Sequence, residues 1–145
     1  MKLEEIRAMV EKDLQLNETE LDTESMRVPQ IHGKYLNLMF DERLMLKKSE
    51  ADYSILKRQK WEYYSGKMSE ETLKELGWEQ FDLKILRQDL DKYLESDADL
   101  IALSLKVMYQ KEKVTYIESV VKAISQLQWN IRNAIEWKKF IHGVN

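Results

Sequence analysis

Cysteine is absent from this 145-residue chain, which excludes disulfides, thiolate nucleophiles and sulfur-bound zinc, and suits a reducing compartment. Imidazole is scarce as well. His32 and His142 stand far apart without ligand-like neighbours, so a zinc site has almost nothing to draw on. No G-x-x-x-x-G-K-[ST] or G-x-G-x-x-G run occurs, which argues against a nucleotide-driven motor. The EF-hand order of oxygens and glycine is missing, and no serine–histidine–acid context marks a hydrolase. No apolar run approaches the roughly 18 residues that a membrane span requires, and the first residues are charged and amphipathic. These absences lead to the expectation of a soluble, cytoplasmic protein that is not an enzyme and carries no cofactor.

Helix breakers are also few, with four Gly and one Pro. Together with abundant Leu, Lys, Glu and Met this predicts an all-α fold, and the length suits one domain over residues 1–145. A first helix over about residues 2–15 places Leu3, Ile6, Val10 and Leu14 on one side. Asn17 ends it, and Thr19 is a candidate cap for a short turn. Pro29 marks a boundary, because the residue before proline is pushed out of helical geometry. From Gln30 to Ser65 only Gly33 interrupts, which predicts one unusually long helix whose apolar stripe falters at Glu42, Ser49 and Asp52. Ser65-Gly66 closes it; Ser69 then caps a short helix that Gly77 ends. Residues 78–86 read as either a strand or an extended connector. A short helix follows near 87–95, and Ser96-Asp97 caps the last one.

From Asp97 onward Leu103, Val107, Val114, Ile117, Val121, Ile124, Ile131 and Ile135 keep a heptad rhythm begun by Leu100, with Gln110 and Gln128 as polar interruptions. A second flank of Leu105, Met108, Val120, Leu127 and Ala134 widens the stripe beyond a two-stranded seam. Two such helices leave little chain to cover both. The expectation is therefore packing between subunits, with the central helix of a monomeric bundle as the alternative.

Charge alternates in blocks behind a net charge of −3. Residues 1–42 carry five basic and ten acidic groups, 43–68 seven and three, 69–99 four and ten, and 100–145 seven and three. In the first basic block the run Ile55-Leu-Lys-Arg-Gln-Lys-Trp-Glu-Tyr-Tyr-Ser-Gly66 interleaves Lys57, Arg58 and Lys60 with Trp61, Tyr63 and Tyr64. Cations neutralise phosphates and aromatic faces stack on unpaired bases, so the run is a candidate surface for single-stranded nucleic acid. Lys67, Lys47 and Lys48 are secondary candidates. The alternative is a solvated helix end whose rings pack inward, and for Tyr63 and Tyr64 that packing weighs at least as heavily. The acids Asp89, Asp91, Glu95, Asp97 and Asp99 would bind a cation only if they converged, and helix-start roles explain several of them.

With these residues laid out, the chain resembles the UvsY family of recombination mediators from T-even and related tailed phages. The resemblance rests on the opening Met-Lys-Leu-Glu-Glu-Ile, on Arg58, Lys60, Tyr63, Tyr64, Ser65 and Gly66, and on Arg132 with Phe140-x-x-Gly143 near the end. Residues 67–96 depart from it. What the resemblance implies is a DNA-binding helical part over residues 1–66, a variable connector over 67–96, and oligomerisation helices over 97–145. It implies an elongated subunit assembling into a ring-like homo-oligomer, heptameric in the family. Its partners would be single-stranded DNA, a phage single-stranded-DNA-binding protein whose coat it weakens, and a RecA-like recombinase, all in the cytoplasm of the infected bacterial host. Arg58 and Lys60 match the family's DNA-binding surface. Three other readings compete: an oligomeric scaffold or adaptor without nucleic-acid binding, a small helical enzyme built on the acids of 89–99, and a membrane-surface role.

Overall fold

Helix ends in this chain are fixed by a few capping side chains and glycines. The computed structural model describes residues 1–143, and among them the fold is all-α. Its helices are α1 (Leu3–Asp13), α2 (Leu21–Tyr64), α3 (Glu70–Leu76), α4 (Leu90–Glu95) and α5 (Ala98–Ile141), with a 3-10 turn at Arg87–Asp89 leading into α4. Glu5 accepts from the Lys2 amide at 2.7 Å at the start of α1. After α1 the turn-making side chain is Asn17 rather than Thr19: its Oδ1 accepts from the Thr19 amide at 3.1 Å and from the Thr19 hydroxyl at 2.7 Å. Ser69 accepts from the Thr72 amide at 3.2 Å. Gly66 and Gly77 take the left-handed conformation, with φ of 76° and 71°. Each lets the following residue bond back across the helix end, Lys67 to the Glu62 carbonyl at 2.9 Å and Trp78 to that of Leu73 at 3.0 Å. Residues 78–86 resolve as an extended connector without strand pairing.

The boundary expected at Pro29 is overturned: α2 runs through it. A proline inside a helix lacks the amide that would bond four residues back, which here strands the Ser25 carbonyl. Gln128 of α5 supplies the missing donor, its Nε2 reaching the Ser25 carbonyl at 3.2 Å, while the Ser25 hydroxyl lies 3.5 Å from its Oε1. The polar break in the heptad pattern is thus the repair for the proline.

The chain divides into two compact units, each drawing on both long helices. One comprises Met1–Arg43 and Glu112–Asn145. Its core joins Ile6 and Val10 of α1, Val28, Ile31, Tyr35 and Met39 of α2, and Ile117, Val120, Ile124, Leu127 and Ile131 of α5. Burial of each such aliphatic side chain contributes about 1.5–3 kcal/mol. Glu42, where the α2 stripe falters, is buried against Lys113 at 3.1 Å, and Lys113 also donates to the Met1 carbonyl at 2.9 Å. Arg27 donates to the carbonyl of Asp13, the last residue of α1, and to that of Gln15 just beyond it. Asp13 itself accepts from Lys34 at 2.7 Å and from the Tyr35 hydroxyl at 2.8 Å. Burial alone would raise the Asp13 carboxyl, but these bonds outweigh it and hold the group below its ordinary value.

The other unit is Leu44–Lys111. Leu90, Leu94 and Leu100 form its buried centre, with Tyr53, Leu56, Tyr64 and Ile85 packed around them. Tyr63 and Tyr64 pack edge-on at 5.2 Å and continue into Trp78, Phe81 and Tyr93, all with centroid spacings below 6 Å. Asp97 is the hub. Its carboxylate caps α5 through the Leu100 amide at 2.9 Å, accepts from the Tyr64 hydroxyl at 2.6 Å and pairs with Lys60 at 3.2 Å. Burial pushes this carboxyl up, yet the three donors together hold it below the usual range.

Gln128→Ala should cost about 0.5–1.5 kcal/mol by orphaning a carbonyl, and the cost should shrink in a Pro29→Ala background, where the backbone supplies its own donor. Urea unfolding of the four variants of this cycle measures it. Asp13 and Asp97 are both held below the ordinary carboxylate value of 3.8. Their stabilising effect is therefore complete above that pH and drains as pH falls through the depressed folded values. Asp97→Asn should lower stability at about pH 7 and flatten its decline between about pH 4 and pH 2, as read by urea midpoints across that range.

Candidate nucleic-acid interface

Helix α2 presents its basic side chains on different faces, and the faces decide what each can do. Lys47 and Arg58 lie eleven residues apart, about three helical turns, and so share one side. Trp61 and Ser65 continue that line by single turns. Lys47 and Arg58 are highly exposed, and their only ion pairs among the described residues are loose intrahelical ones, Lys47–Glu50 at 3.8 Å and Arg58–Glu62 at 3.5 Å. Exposed pairs of this kind are worth about 0.3–0.5 kcal/mol, so a phosphate competes with them readily. Trp61 is 38% exposed, and the Lys67 ammonium stands 4.6 Å from its ring centroid. The turn at Gly66 brings this about by folding Lys67 back over the helix end. Lys48 is exposed and makes no ion pair among the described residues.

Two expected cations are placed differently. Lys57 points toward α4 and shares a cleft with Asp91 and Glu95, beside Tyr53, Leu94 and Leu100. Lys60 is not on the surface: its side chain is 8% exposed. The ammonium donates to Asp99 at 2.8 Å, pairs with Asp97 at 3.2 Å and lies 4.2 Å from the Trp78 ring centroid. Burial alone would depress its pKa, but the two carboxylates outweigh this and raise it, so the group stays charged. Composition sets Lys60 among the surface cations. The structure corrects this because two acids that follow the connector and an aromatic ring at its start enclose it.

The tyrosine pair packs inward. The Tyr63 hydroxyl donates to the Glu79 carbonyl at 2.7 Å, Tyr64 bonds Asp97, and both rings sit in the aromatic cluster. The acids of 89–99 have local roles: Asp97 and Asp99 hold Lys60, and Asp89 pairs with Lys92 at 3.6 Å. Among the described residues no group of three or more His, Cys, Asp or Glu is arranged to hold a metal ion, and no helix is long and apolar enough to cross a membrane.

The heptad stripe of α5 is largely used within the chain. Val114, Ile117, Ile124 and Ile131 are buried there, and Leu103, Val107, Val121 and Ile135 are half-buried. The expectation that this stripe is left for other subunits overlooks how much of it α1 and the first part of α2 cover. What remains exposed among the described residues lies off the heptad positions: Ile101, Leu105, Met108 and Tyr109, and near the end of α5 Trp129, Trp137, Phe140 and Ile141. Trp137 and Phe140 are 62% and 74% exposed with rings stacked at 5.6 Å. A heptad reading misses these aromatics, although their three-residue spacing is visible in the sequence.

Comparison with known proteins agrees with this architecture. The family profile described as "Recombination, repair and ssDNA binding protein UvsY" matches residues 9–144. Crystal structures of the bacteriophage T4 recombination mediator protein UvsY have the same fold. The lattice type II form gives a TM-score of 0.85 at 18% identity, covering 98% of this chain and 98% of that one. The lattice type IV form gives 0.84 at 18% identity, covering 97% and 99%. No curated protein sequence matches the chain. The solved structures establish the fold, the profile spans nearly the whole sequence, and the chain therefore belongs to the UvsY family of recombination, repair and single-stranded-DNA-binding proteins.

Proposed function

We propose that this protein is a phage recombination mediator. It binds single-stranded DNA, destabilises the coat of single-stranded-DNA-binding protein and promotes loading of a RecA-like recombinase, serving recombination-dependent repair and replication in the cytoplasm of the infected bacterial host. The observation that carries this reading is the face of Lys47, Arg58, Trp61 and Lys67, cationic and aromatic with no strong partners among the described residues, on a chain of this family. Lys48 widens the face. Lys60 serves it from one step behind, anchoring the helix turn that carries Arg58 and Trp61, and Lys57 stands at its acidic margin.

Such a face is small for a net-acidic subunit. Repetition around a homo-oligomer, a heptameric ring on the family's precedent, multiplies weak sites through effective concentration. Exposed Trp129, Trp137 and Phe140 provide the apolar surface for that assembly, since exposed aromatic clusters of this kind mark interfaces. Phosphate pairing is blind to sequence, as loading onto arbitrary strands demands. A strand led over repeated sites takes an imposed path. If that path suits the recombinase better than the coat, the preference shifts the exchange.

Lys47→Ala with Arg58→Ala should weaken oligonucleotide binding and flatten its salt dependence, by about 0.7 in log–log slope for each phosphate no longer neutralised. Fluorescence anisotropy at several salt concentrations measures both, and unchanged values would remove these residues from the site and leave the scaffold reading. Lys60→Ala should instead destabilise the fold by about 3–5 kcal/mol in urea unfolding, because it strands a buried carboxylate. In a separate test, Trp137→Glu with Phe140→Glu should lower the solution mass measured by light scattering while helicity by circular dichroism holds.

A further inference from the structure

Beside Trp61 the surface opens into a cleft of about 330 Å³, near the lower end of the range for small-ligand sites. Trp61 and Lys67 form one side. Ile85, Leu86 and Leu90 form an apolar floor, and Arg87 stands at the rim. Most of this lining comes from residues 67–96, of which the phosphate-binding face includes only Lys67.

We propose that this cleft is a subsite for one unpaired base and its phosphate. The proposal rests on the single-stranded-DNA reading above and names what that reading leaves open: a pocket that grips the base, in addition to cations that grip the backbone. The lining is divided as a nucleotide is divided. A base has two apolar faces and needs a flat or aliphatic floor, which Trp61, Ile85 and Leu86 provide; its phosphate needs cations, which Lys67 and Arg87 provide. Arg87 makes no ion pair among the described residues, although it sits in the most acidic stretch of the chain. Among the described residues Lys67 has no carboxylate partner either, and its ammonium rests on the Trp61 ring. An exposed contact between an ammonium and a ring is weak, so an arriving base displaces Lys67 from the ring, and the freed ammonium turns to the phosphate. The free state holds the ring covered and the cation parked within reach of its next partner.

The test uses the full-length protein with two strands of equal length, an oligothymidylate and a strand of abasic tetrahydrofuran sites, at one salt concentration. Wild type should bind the oligothymidylate about tenfold more tightly, as loss of base stacking on an aromatic ring implies. Trp61→Ala should bring the two affinities together while the abasic strand still binds, and Arg87→Ala should weaken binding of both strands alike, because both keep their phosphates. Trp61→Phe should keep the preference, because a ring remains. Equal wild-type affinities for the two strands would overturn the pocket and leave backbone binding intact. So would an undiminished preference in Trp61→Ala. Failure of both strands to bind would overturn both readings together.

Discussion

The carboxylate of Asp97 holds the Leu44–Lys111 unit together. One buried group caps the last helix, accepts the Tyr64 hydroxyl and neutralises Lys60. The first bond is local to the start of α5, and the other two reach back to the end of α2. A buried ion pair contributes little net stability by itself, because taking both charges out of water offsets most of their attraction. Its effect is on alternatives: any register of α2 against α5 that separates Lys60 from Asp97 buries a lone charge. Arg58 and Trp61 sit within a turn of Lys60, so the placement of the exposed face follows from this interior constraint.

Local chemistry is legible in the sequence wherever a single residue decides a backbone shape. Gly66 and Gly77 end helices because left-handed φ favours glycine, and Ser69 and Asp97 begin them because a short oxygen side chain satisfies a free amide. Legibility fails where the deciding partner lies far along the chain. Pro29 looks like a stop until Gln128, near the other end of the sequence, repairs the carbonyl. Glu42 looks like an exposed flaw in the stripe until Lys113 meets it. Lys60 looks like a surface cation until Asp97 and Asp99 close over it. In each case a polar residue at an apolar position belongs to a pair, and the single sequence shows only halves.

The candidate site divides the same way. The exposed cations Lys47 and Arg58 and the ring of Trp61 are readable from composition and helical spacing, whereas Arg87 is not, because an isolated arginine among acids carries no local signal. The α5 stripe shows the opposite error. Its periodicity is genuine, but the same apolar pattern serves an internal core and a partner helix alike. Chain length alone does not show that α1 and the first part of α2 cover much of it. The large apolar residues of α5 left exposed lie outside the repeat.

The bond between Tyr64 and Asp97 has a consequence for how this protein can change over time. It brings the departure and return points of residues 65–96 to within a hydrogen bond of each other. An excursion that leaves and re-enters at one place can lengthen or shorten with little penalty, since doubling such a loop costs only about 0.6 kcal/mol in closure entropy. Changes of length are therefore tolerated in the exposed parts of this excursion, whereas Trp78, Phe81, Leu90, Tyr93 and Leu94, which pack back on the long helices, are held to their places.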